Sequence, residues 1–321
     1  MTLKPVLAIT AFVFSTSVLA QAFPTKSVKM VVAYAPGGAT DVITRAVASR
    51  LSPMWGQPVI IENRPGANTN IAAAEVAKAP PDGYAFLSTA EATFAVNPYV
   101  YKELPFDAEK GFVPVSGLAI AYQVLAVNPS VPYKSVTDVI TAAKAQPGKL
   151  NYAAFGPGSS PHLNMEMLMH MAGIQMTPVH YKGGGPALTD VIGGHVPMVI
   201  LSTTLTSKPY KAGQLRILGV GSKQRLAAFP ELPTIAESGL PGYEAVTWFG
   251  LFAPTGTPRD VVNKVNADVQ KVLADPEFRE KFLAPMNFEP ITGSPAEFTD
   301  YVKREAAKWK AVIQSAKITI E

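Results

Sequence analysis

The sequence contains no cysteine in its 321 residues. Disulfide bonds, thiolate metal sites, a cysteine nucleophile and a lipid-modified N-terminal cysteine are therefore all excluded. A chain of this length with 48% apolar residues can bury cores that are large enough to fold without covalent cross-links. Its size and composition predict a globular protein of about two domains.

The chain also lacks dense runs of basic residues. Its net charge of +4 comes from Lys and Arg side chains that are scattered along the sequence, whereas nucleic-acid-binding domains concentrate positive charge on one face. We therefore expect no nucleic-acid partner. Beyond the N-terminus, no apolar segment reaches the roughly 18 residues that a transmembrane helix requires, so we expect the mature chain to be soluble.

The first 22 residues have the pattern of a secretory signal peptide. Lys4 is followed by an apolar run that ends in small residues at Ala20 and Ala22, which is typical of a cleavable export signal. Cleavage after one or the other of these alanines would begin the mature chain at Gln21 or Phe23. The sequence therefore predicts a protein exported to the periplasm.

Motifs of the common catalytic and cofactor sites are missing as well. The sequence has no Gly-x-Ser-x-Gly elbow, no His-Glu-x-x-His zinc motif and no phosphate-binding loop. Ser159 and Ser160 lie near His162, but residues so close together at the start of a helix rarely form a serine–histidine pair. We predict a protein without catalytic activity, cofactor or metal; an exported serine hydrolase that uses Ser159 or Ser160 is the alternative.

The sequence that follows the signal alternates between strands and helices. The alternation of strands and helices extends over the first part of the chain and begins again after residue 122. It is typical of an α/β fold in which mostly parallel sheets carry helices on their faces and bind ligands at the carboxyl ends of the strands. Strands are predicted at 28–33, 58–63, 84–89, 124–127, 150–155, 179–181, 196–201, 215–220 and 246–253, and helices at 42–51, 70–79, 135–146, 162–171, 258–274 and 294–315.

One turn suggests what the fold binds. Residues 34–41 join an apolar strand to a helix through the adjacent glycines Gly37 and Gly38, which allow the backbone to approach a ligand closely. The helix N-terminus offers unpaired N–H groups and the positive end of the helix dipole, which suit an anion. Taken alone, such a turn is also typical of a plain connector.

Similar turns recur at the ends of later strands. Glycine and hydroxyl residues occupy them at 36–40, 88–93, 156–160, 183–185 and 202–204. If two lobes face each other, these turns line one cleft from both sides, and a carboxylate would be held by backbone and hydroxyl donors. Aromatic residues that could pack against the ligand or belong to the core are Tyr34, Phe94, Phe155, Trp248 and Phe249.

A series of ordered motifs extends over essentially the whole mature chain. The motifs are Pro36-Gly37-Gly38 with Asp41 and Arg45, residues 62–67, 81–84, 148–152, Gly158-Ser159 with His162-Leu163, 181–183, Gly193-Gly194, Pro233-Thr234 with 237–239, and 248–251 with Ala253-Pro254. With these motifs the chain resembles the substrate-binding proteins of tripartite tricarboxylate transporters, the Bug family. The resemblance implies a two-lobed, type II-like periplasmic binding fold that closes on a small carboxylate and delivers it to membrane permease subunits.

The resemblance assigns residues 36–40, Gly158, Ser159 and residues 181–183 to the binding site, and the other turns add further candidates. For Asp41, ligand binding and compensation of the helix dipole stay open. Residues 91–94 and 202–206 look individual, so we expect the identity of the ligand to be decided there. The predicted ligand-binding residues are Tyr34, Pro36, Gly37, Gly38, Ala39, Thr40, Asp41, Ser88, Thr89, Thr93, Phe94, Gly158, Ser159, Ser160, His162, Lys182, Gly183, Ser202, Thr203 and Phe249.

The predicted organisation has one lobe from residues 23–122 and 249–321 and a second lobe from residues 123–248. We expect a monomer that closes around its ligand by hinge motion and breaks no bond. The few basic residues in the turns argue against a citrate-like trianion, while the aromatic residues suit a flat or apolar body. A tricarboxylate, a short dicarboxylate, an aromatic carboxylate and a neutral carboxyl-derived compound all stay open as ligands. A receptor that signals to a sensor partner would share this fold.

Overall fold

A computed structural model describes residues 23–155, 158–181 and 183–316. The predicted signal peptide, residues 1–22, lies outside the described residues. The strands are β1 (Val28–Val32), β2 (Val59–Asn63), β3 (Ala85–Ala90), β4 (Phe112–Val127), β5 (Asn151–Ala154), β6 (Thr177–His180), β7 (Met198–Ser202), β8 (Arg216–Val220), β9 (Val246–Pro254) and β10 (Phe288–Pro290). The α-helices are α1 (Ala39–Trp55), α2 (Asn70–Ala77), α3 (Asn97–Val100), α4 (Val136–Ala145), α5 (Ser160–Ala172), α6 (Gly184–Ile192), α7 (Thr203–Lys211), α8 (Arg259–Ala274), α9 (Pro276–Phe278) and α10 (Pro295–Ala316).

The strands form one ten-stranded sheet with two parallel portions. Its order is β2-β1-β3-β9-β4-β7-β5-β6, and β8 and β10 both pair with β4. β1, β2 and β3 run parallel at one end, and β5, β6 and β7 run parallel at the other. β4 and β9 are antiparallel to their neighbours and join the two portions. The predicted α/β class is confirmed.

Strand β4 passes from one portion of the sheet to the other. Residues 112–122 pair with β9, whereas residues 123–127 pair with β7 and residues 124–127 also pair with β8. This change of partners coincides with the predicted lobe boundary after residue 122, and the second predicted boundary, after residue 248, falls inside β9. We keep the two-lobed division of the chain as a proposal.

Each portion of the sheet has its own buried core. Helices α1 and α8 cover the first portion, where Met30 and Phe86 are fully buried. In the second portion, Tyr152 and Ile200 are fully buried under α4 and α5. Helix α4 begins at the predicted capping box, in which Ser135 and Asp138 bond reciprocally to each other's backbone N–H.

Several parts of the structure were not predicted from the sequence, and the short helix α3 is one of them. The first eleven residues of β4 were missed because Pro114 and Gly117 interrupt the strand pattern; the strand accommodates them through two shifts of register. Helix α7 was missed because it is rich in threonine and contains Pro209, and these residues have low helix propensity. The three-residue strand β10 is too short for a pattern to be recognised. Within the described part of the chain, no helix is long and apolar enough to cross a membrane.

Candidate ligand-binding cleft

A cavity of about 400 Å³ lies between the two portions of the sheet. Its walls come from the loop before α1, the ends of β3 and β7, the middle of β4, the first half of β9, and the first turns of α5, α6 and α7. Predicted residues that line it are Tyr34, Gly38, Ala39, Thr40, Ser159, Ser160, Gly183, Ser202 and Phe249. Other lining residues are Asn68, Ala90, Glu91, Ala92, Ala121, Gln123, Phe155, Pro161, Gly184, Leu201, Leu205 and Thr247.

The loop between β1 and α1 forms one wall of the cavity. Gly37 has φ +81°, a left-handed conformation that favours glycine. Gly38 precedes the first helical residue in an extended conformation, and no side chain caps this end of the helix. Because the first N–H groups of a helix have no partner within the helix, the backbone at Ala39 and Thr40 can donate to a ligand in the cavity.

A buried carboxylate, that of Asp41, holds this loop in place from the side that does not face the cavity. The Gly37 N–H donates to Asp41 Oδ2 at 2.9 Å, and Arg45 Nε and Asn63 Nδ2 donate to Asp41 Oδ1 at 2.9 and 2.8 Å. Asn63 Nδ2 also donates to the Tyr34 carbonyl at 3.0 Å. Burial opposes ionisation of Asp41, but hydrogen bonds from Arg45, Gly37 and Asn63 hold its pKa below the usual range. Asp41 therefore positions the loop and does not line the cavity.

The start of α5 forms the opposite wall. Ser159 precedes the helix in an extended conformation, and its Oγ accepts a hydrogen bond from the Phe155 N–H at 3.2 Å. His162 lies behind this turn: its Nδ1 accepts from the Gly158 N–H at 3.2 Å, and its Nε2 lies 3.5 Å from Glu166 Oε1. His162 thus supports the turn from the core side.

Helices α6 and α7 also begin at the cavity. Gly183 and Gly184 open α6, and Ser202 precedes α7. A Cβ atom on Gly184 would lie 2.9 Å from Leu205 Cδ1 and 3.3 Å from the Phe155 ring, so a side chain there would displace the end of Leu205. Together with α1 and α5, four helix N-termini surround one cavity, and their dipoles make its potential positive.

Glu91 is an acid in the cavity wall that the sequence analysis did not select as a site residue. It follows β3, is 2% exposed, and accepts hydrogen bonds at Oε1 from the Ser160 hydroxyl and, at 3.3 Å, from Thr247 Oγ1. Gln123 Nε2 in turn donates to Thr247 Oγ1 at 3.0 Å. Burial raises the pKa of Glu91 to about 7, although hydrogen bonds from Ser160, from its own backbone N–H and from Thr247 oppose this. An acid placed directly after the strand of residues 85–90 was the signal available in the sequence.

Several predicted residues lie away from the cavity. Ser88 bonds to Thr44 in the core at 2.6 Å, Thr89 and Thr93 bond to each other at 2.5 Å, and Phe94 packs against Phe112 and Phe252. Residues that the structure does not bring to the cavity lining are Pro36, Gly37, Asp41, Ser88, Thr89, Thr93, Phe94, Gly158, His162 and Thr203. Lys182 lies outside the described residues.

The π-helical turn Ala92–Val96 explains the position of Thr93 and Phe94. A π-helical turn contains more residues than an α-helical one, so the side chains of Thr93 and Phe94 turn into the core, while Ala92 still lines the cleft. Among the described residues, no cluster of His, Asp and Glu side chains could hold a metal ion.

Comparison with known proteins places the chain in a family. Residues 43–318 match the sequence model described as the tripartite tricarboxylate transporter family receptor. Protein BugT of Bordetella pertussis is 33% identical, over 92% of this chain and 91% of its own. The structure of R. palustris Rpa4515 with adipate is 38% identical and has a TM-score of 0.85, covering 92% of this chain and 99% of that one.

A second solved structure, MatC from Rhodopseudomonas palustris with bound malate, is 29% identical. Its TM-score is 0.80, and the match covers 91% of this chain and 100% of the other. The match of the family sequence model over most of the chain, together with these relatives, confirms the family and the periplasmic-binding-protein fold that were predicted. The chain belongs to the tripartite tricarboxylate transporter family of receptors.

Proposed function

We propose that this receptor binds a short dicarboxylate in the cleft between its lobes and delivers it to the permease subunits of a tripartite tricarboxylate transporter. The observation that carries this proposal is the meeting of four helix N-termini at one cavity of about 400 Å³. Helix α1 stands on one side and α5, α6 and α7 on the other. Two separate donor sets suit a ligand with a carboxylate at each end.

The remaining walls of the cavity suit the middle of such a ligand. Phe155, Leu201, Leu205 and Phe249 line it with apolar surface, which favours a methylene spacer over a strongly polar one. The relatives support this assignment, because Rpa4515 and MatC are described with adipate and malate, and both ligands are dicarboxylates. Neither Lys nor Arg is found among the described lining residues, which argues against a trianion.

Binding without catalysis is part of the proposal. A serine hydrolase would need a histidine nitrogen that is ready to accept the serine proton. Both ring nitrogens of His162 face other partners, the Gly158 N–H and the Glu166 carboxylate, and the Ser160 hydroxyl donates to Glu91. We propose that the protein acts in the periplasm as a monomer, in agreement with the export pattern of residues 1–22.

A thermal-shift screen tests the proposed ligand class. Adipate, malate, benzoate, citrate and the uncharged isostere adipamide are each added to the purified protein at increasing concentration. A ligand at about 100 times its Kd should stabilise the fold by roughly 2.7 kcal/mol, and we expect this for a dicarboxylate and not for adipamide. A shift with adipamide but with none of the carboxylates would contradict the proposal.

A further inference from the structure

The proposed anion site contains a buried acid, and its surroundings decide the charge that this acid can carry. Glu91 Oε2 is buried without a hydrogen-bond partner, while Oε1 accepts from Ser160 and Thr247. These two donors are neutral hydroxyls, and the only N–H that lowers the pKa of Glu91 among the described residues is its own backbone N–H. A buried carboxylate is usually paired with a cation or with several N–H donors, and the described lining of the cavity contains no Lys or Arg.

The titratable groups that face Glu91 from the neighbouring elements do not supply a positive charge to it. Tyr34, from the loop before α1, and Tyr301, from α10, have pKa values that burial raises above the usual range, so both stay neutral. Glu305 on α10 adds a second acid, which pairs with Lys308 at 2.8 Å. On α5, Nδ1 of His162 accepts from the Gly158 N–H and its Nε2 lies 3.5 Å from Glu166 Oε1, so both ring nitrogens face groups other than Glu91.

We infer that the receptor takes up one proton from solvent when it binds its carboxylate ligand, and that Glu91 carries this proton. This inference rests on the proposed function. An ionised Glu91 and a ligand carboxylate would place two negative charges in one poorly solvated cleft, and such a pair ionises only once. Protonation removes the repulsion. Because Oε1 is occupied as an acceptor, the proton belongs on the unpartnered Oε2.

The consequence is an affinity that falls as the pH rises. Burial places the pKa of Glu91 near 7 in the free protein, so this group is ionised at pH 8.5 and largely protonated at pH 6.5. If the complex stays protonated throughout, the Kd should rise roughly 25-fold between these two pH values. The ligand contributes nothing to this change, because free carboxyl groups with pKa values of about 4 to 5 are ionised over the whole interval.

Isothermal titration of the purified protein with adipate and with malate, at pH 6.5, 7.5 and 8.5, tests the inference. At pH 7.5 the titration is repeated in two buffers with different enthalpies of ionisation, which reports the protons taken up per ligand bound. We expect an uptake between half a proton and one proton, and the 25-fold rise in Kd. Glu91→Gln keeps a donor and loses the charge, so its Kd should stay constant with pH. Glu75→Gln, which removes a carboxylate outside the cavity, should keep the wild-type pH dependence.

The outcomes separate the inference from the proposed function. A constant Kd with no proton uptake would overturn the role of Glu91 and leave carboxylate binding intact. Absence of binding at every pH would overturn both. Tighter binding of an amino acid such as aspartate at higher pH would also overturn the inference, since Glu91 would then pair with an ammonium group in its ionised form. If Glu91→Gln does not fold, the proton uptake of the wild-type protein tests the inference alone: an uptake supports it, and no uptake overturns it.

Discussion

Two buried acids, Asp41 and Glu91, have opposite shifts of pKa because their hydrogen-bond partners differ. Arg45, the Gly37 N–H and Asn63 donate to Asp41 and favour its ionised form. Glu91 accepts from the hydroxyls of Ser160 and Thr247, which do not compensate its burial. The permanent charge of Asp41 is used to hold a loop. The charge of Glu91 can change at physiological pH.

Glu91 should make the stability of the ligand-free protein depend on pH. The pKa of Glu91 is about 7 in the folded protein and about 4.3 in the unfolded chain, so the folded state binds the proton more tightly. The stabilisation that results from this difference is fully present below pH 4 and is lost as the pH rises through 7. We expect a loss of about 2.5 kcal/mol between pH 5 and pH 8. Urea unfolding of wild type and Glu91→Gln at both pH values measures it.

Comparing the two proteins removes the effect of other groups. The pKa of His180 is lowered by burial, so this residue changes stability in the opposite direction, but it does so equally in wild type and variant. The difference in unfolding free energy between the proteins should therefore change by about 2.5 kcal/mol from pH 5 to pH 8. A difference that is the same at both pH values would show that Glu91 has an ordinary pKa.

Sequence patterns located the segment after β3 but did not show which of its side chains line the cavity. Residues 91–94 were expected to decide the identity of the ligand, and Glu91 does line the cavity, whereas Phe94 packs in the core. An apolar strand followed by polar residues marks the end of the strand. It does not reveal the π-helical turn that sets which side chain faces the cleft.

At the scale of elements, the start of α1 depends on two glycines for different reasons. Gly37 has φ +81°, which strains any other residue. Gly38 has φ −73°, and a Cβ atom on it would meet only the Ala35 carbonyl oxygen at 3.4 Å. The fold therefore requires glycine at Gly37, whereas the fold alone would accept a side chain at Gly38. We expect the need for glycine at Gly38 to come from the proposed ligand, which would approach the backbone there.

Substitution of each glycine by valine separates these roles. Gly38→Val should leave the free energy of unfolding within about 1 kcal/mol of wild type and weaken adipate binding at least tenfold, because the side chain occupies the cavity. Gly37→Val should lose about 1–2 kcal/mol of stability. Chemical unfolding and titration calorimetry measure both effects. Full affinity in Gly38→Val would place the ligand elsewhere.

Elements could be predicted where local pattern and packing agree. The turn at residues 34–41 and the capping box at Ser135 follow local rules and were predicted. β4 was predicted only in part, since it runs through Pro114 and Gly117 and is held by pairing with β9, which is distant in sequence. The cavity was predicted as turns that face each other, but Gln123 and Thr247 reach it from within the paired strands β4 and β9, and no turn motif marks such positions.

At the scale of the whole molecule, few polar contacts join the proposed lobes across the cleft. Glu91 accepts hydrogen bonds across it from Ser160 and Thr247. On the side of α7, the Thr204 hydroxyl donates to the Met286 carbonyl at 2.9 Å, and Asn287 Nδ2 donates to Ser207 Oγ at 3.0 Å. Lys308 lies 3.9 Å from Glu244. Such contacts are individually worth about 1 kcal/mol or less, so a ligand that bonds to both walls can shift the balance between open and closed forms.

We therefore expect dicarboxylate binding to close the cleft by rotation of the lobes about β4 and β9. Small-angle X-ray scattering should record a smaller radius of gyration at saturating adipate than without ligand.

The absence of cysteine permits a second measurement of closure, in which Lys78→Cys and Lys144→Cys carry a fluorescent pair, one on each proposed lobe. Energy transfer should change with adipate along the same curve as binding heat, and Gly38→Val should suppress the change at adipate concentrations that saturate wild type. An unchanged radius of gyration and constant transfer in the saturated wild-type protein would mean that the cleft is closed before the ligand arrives.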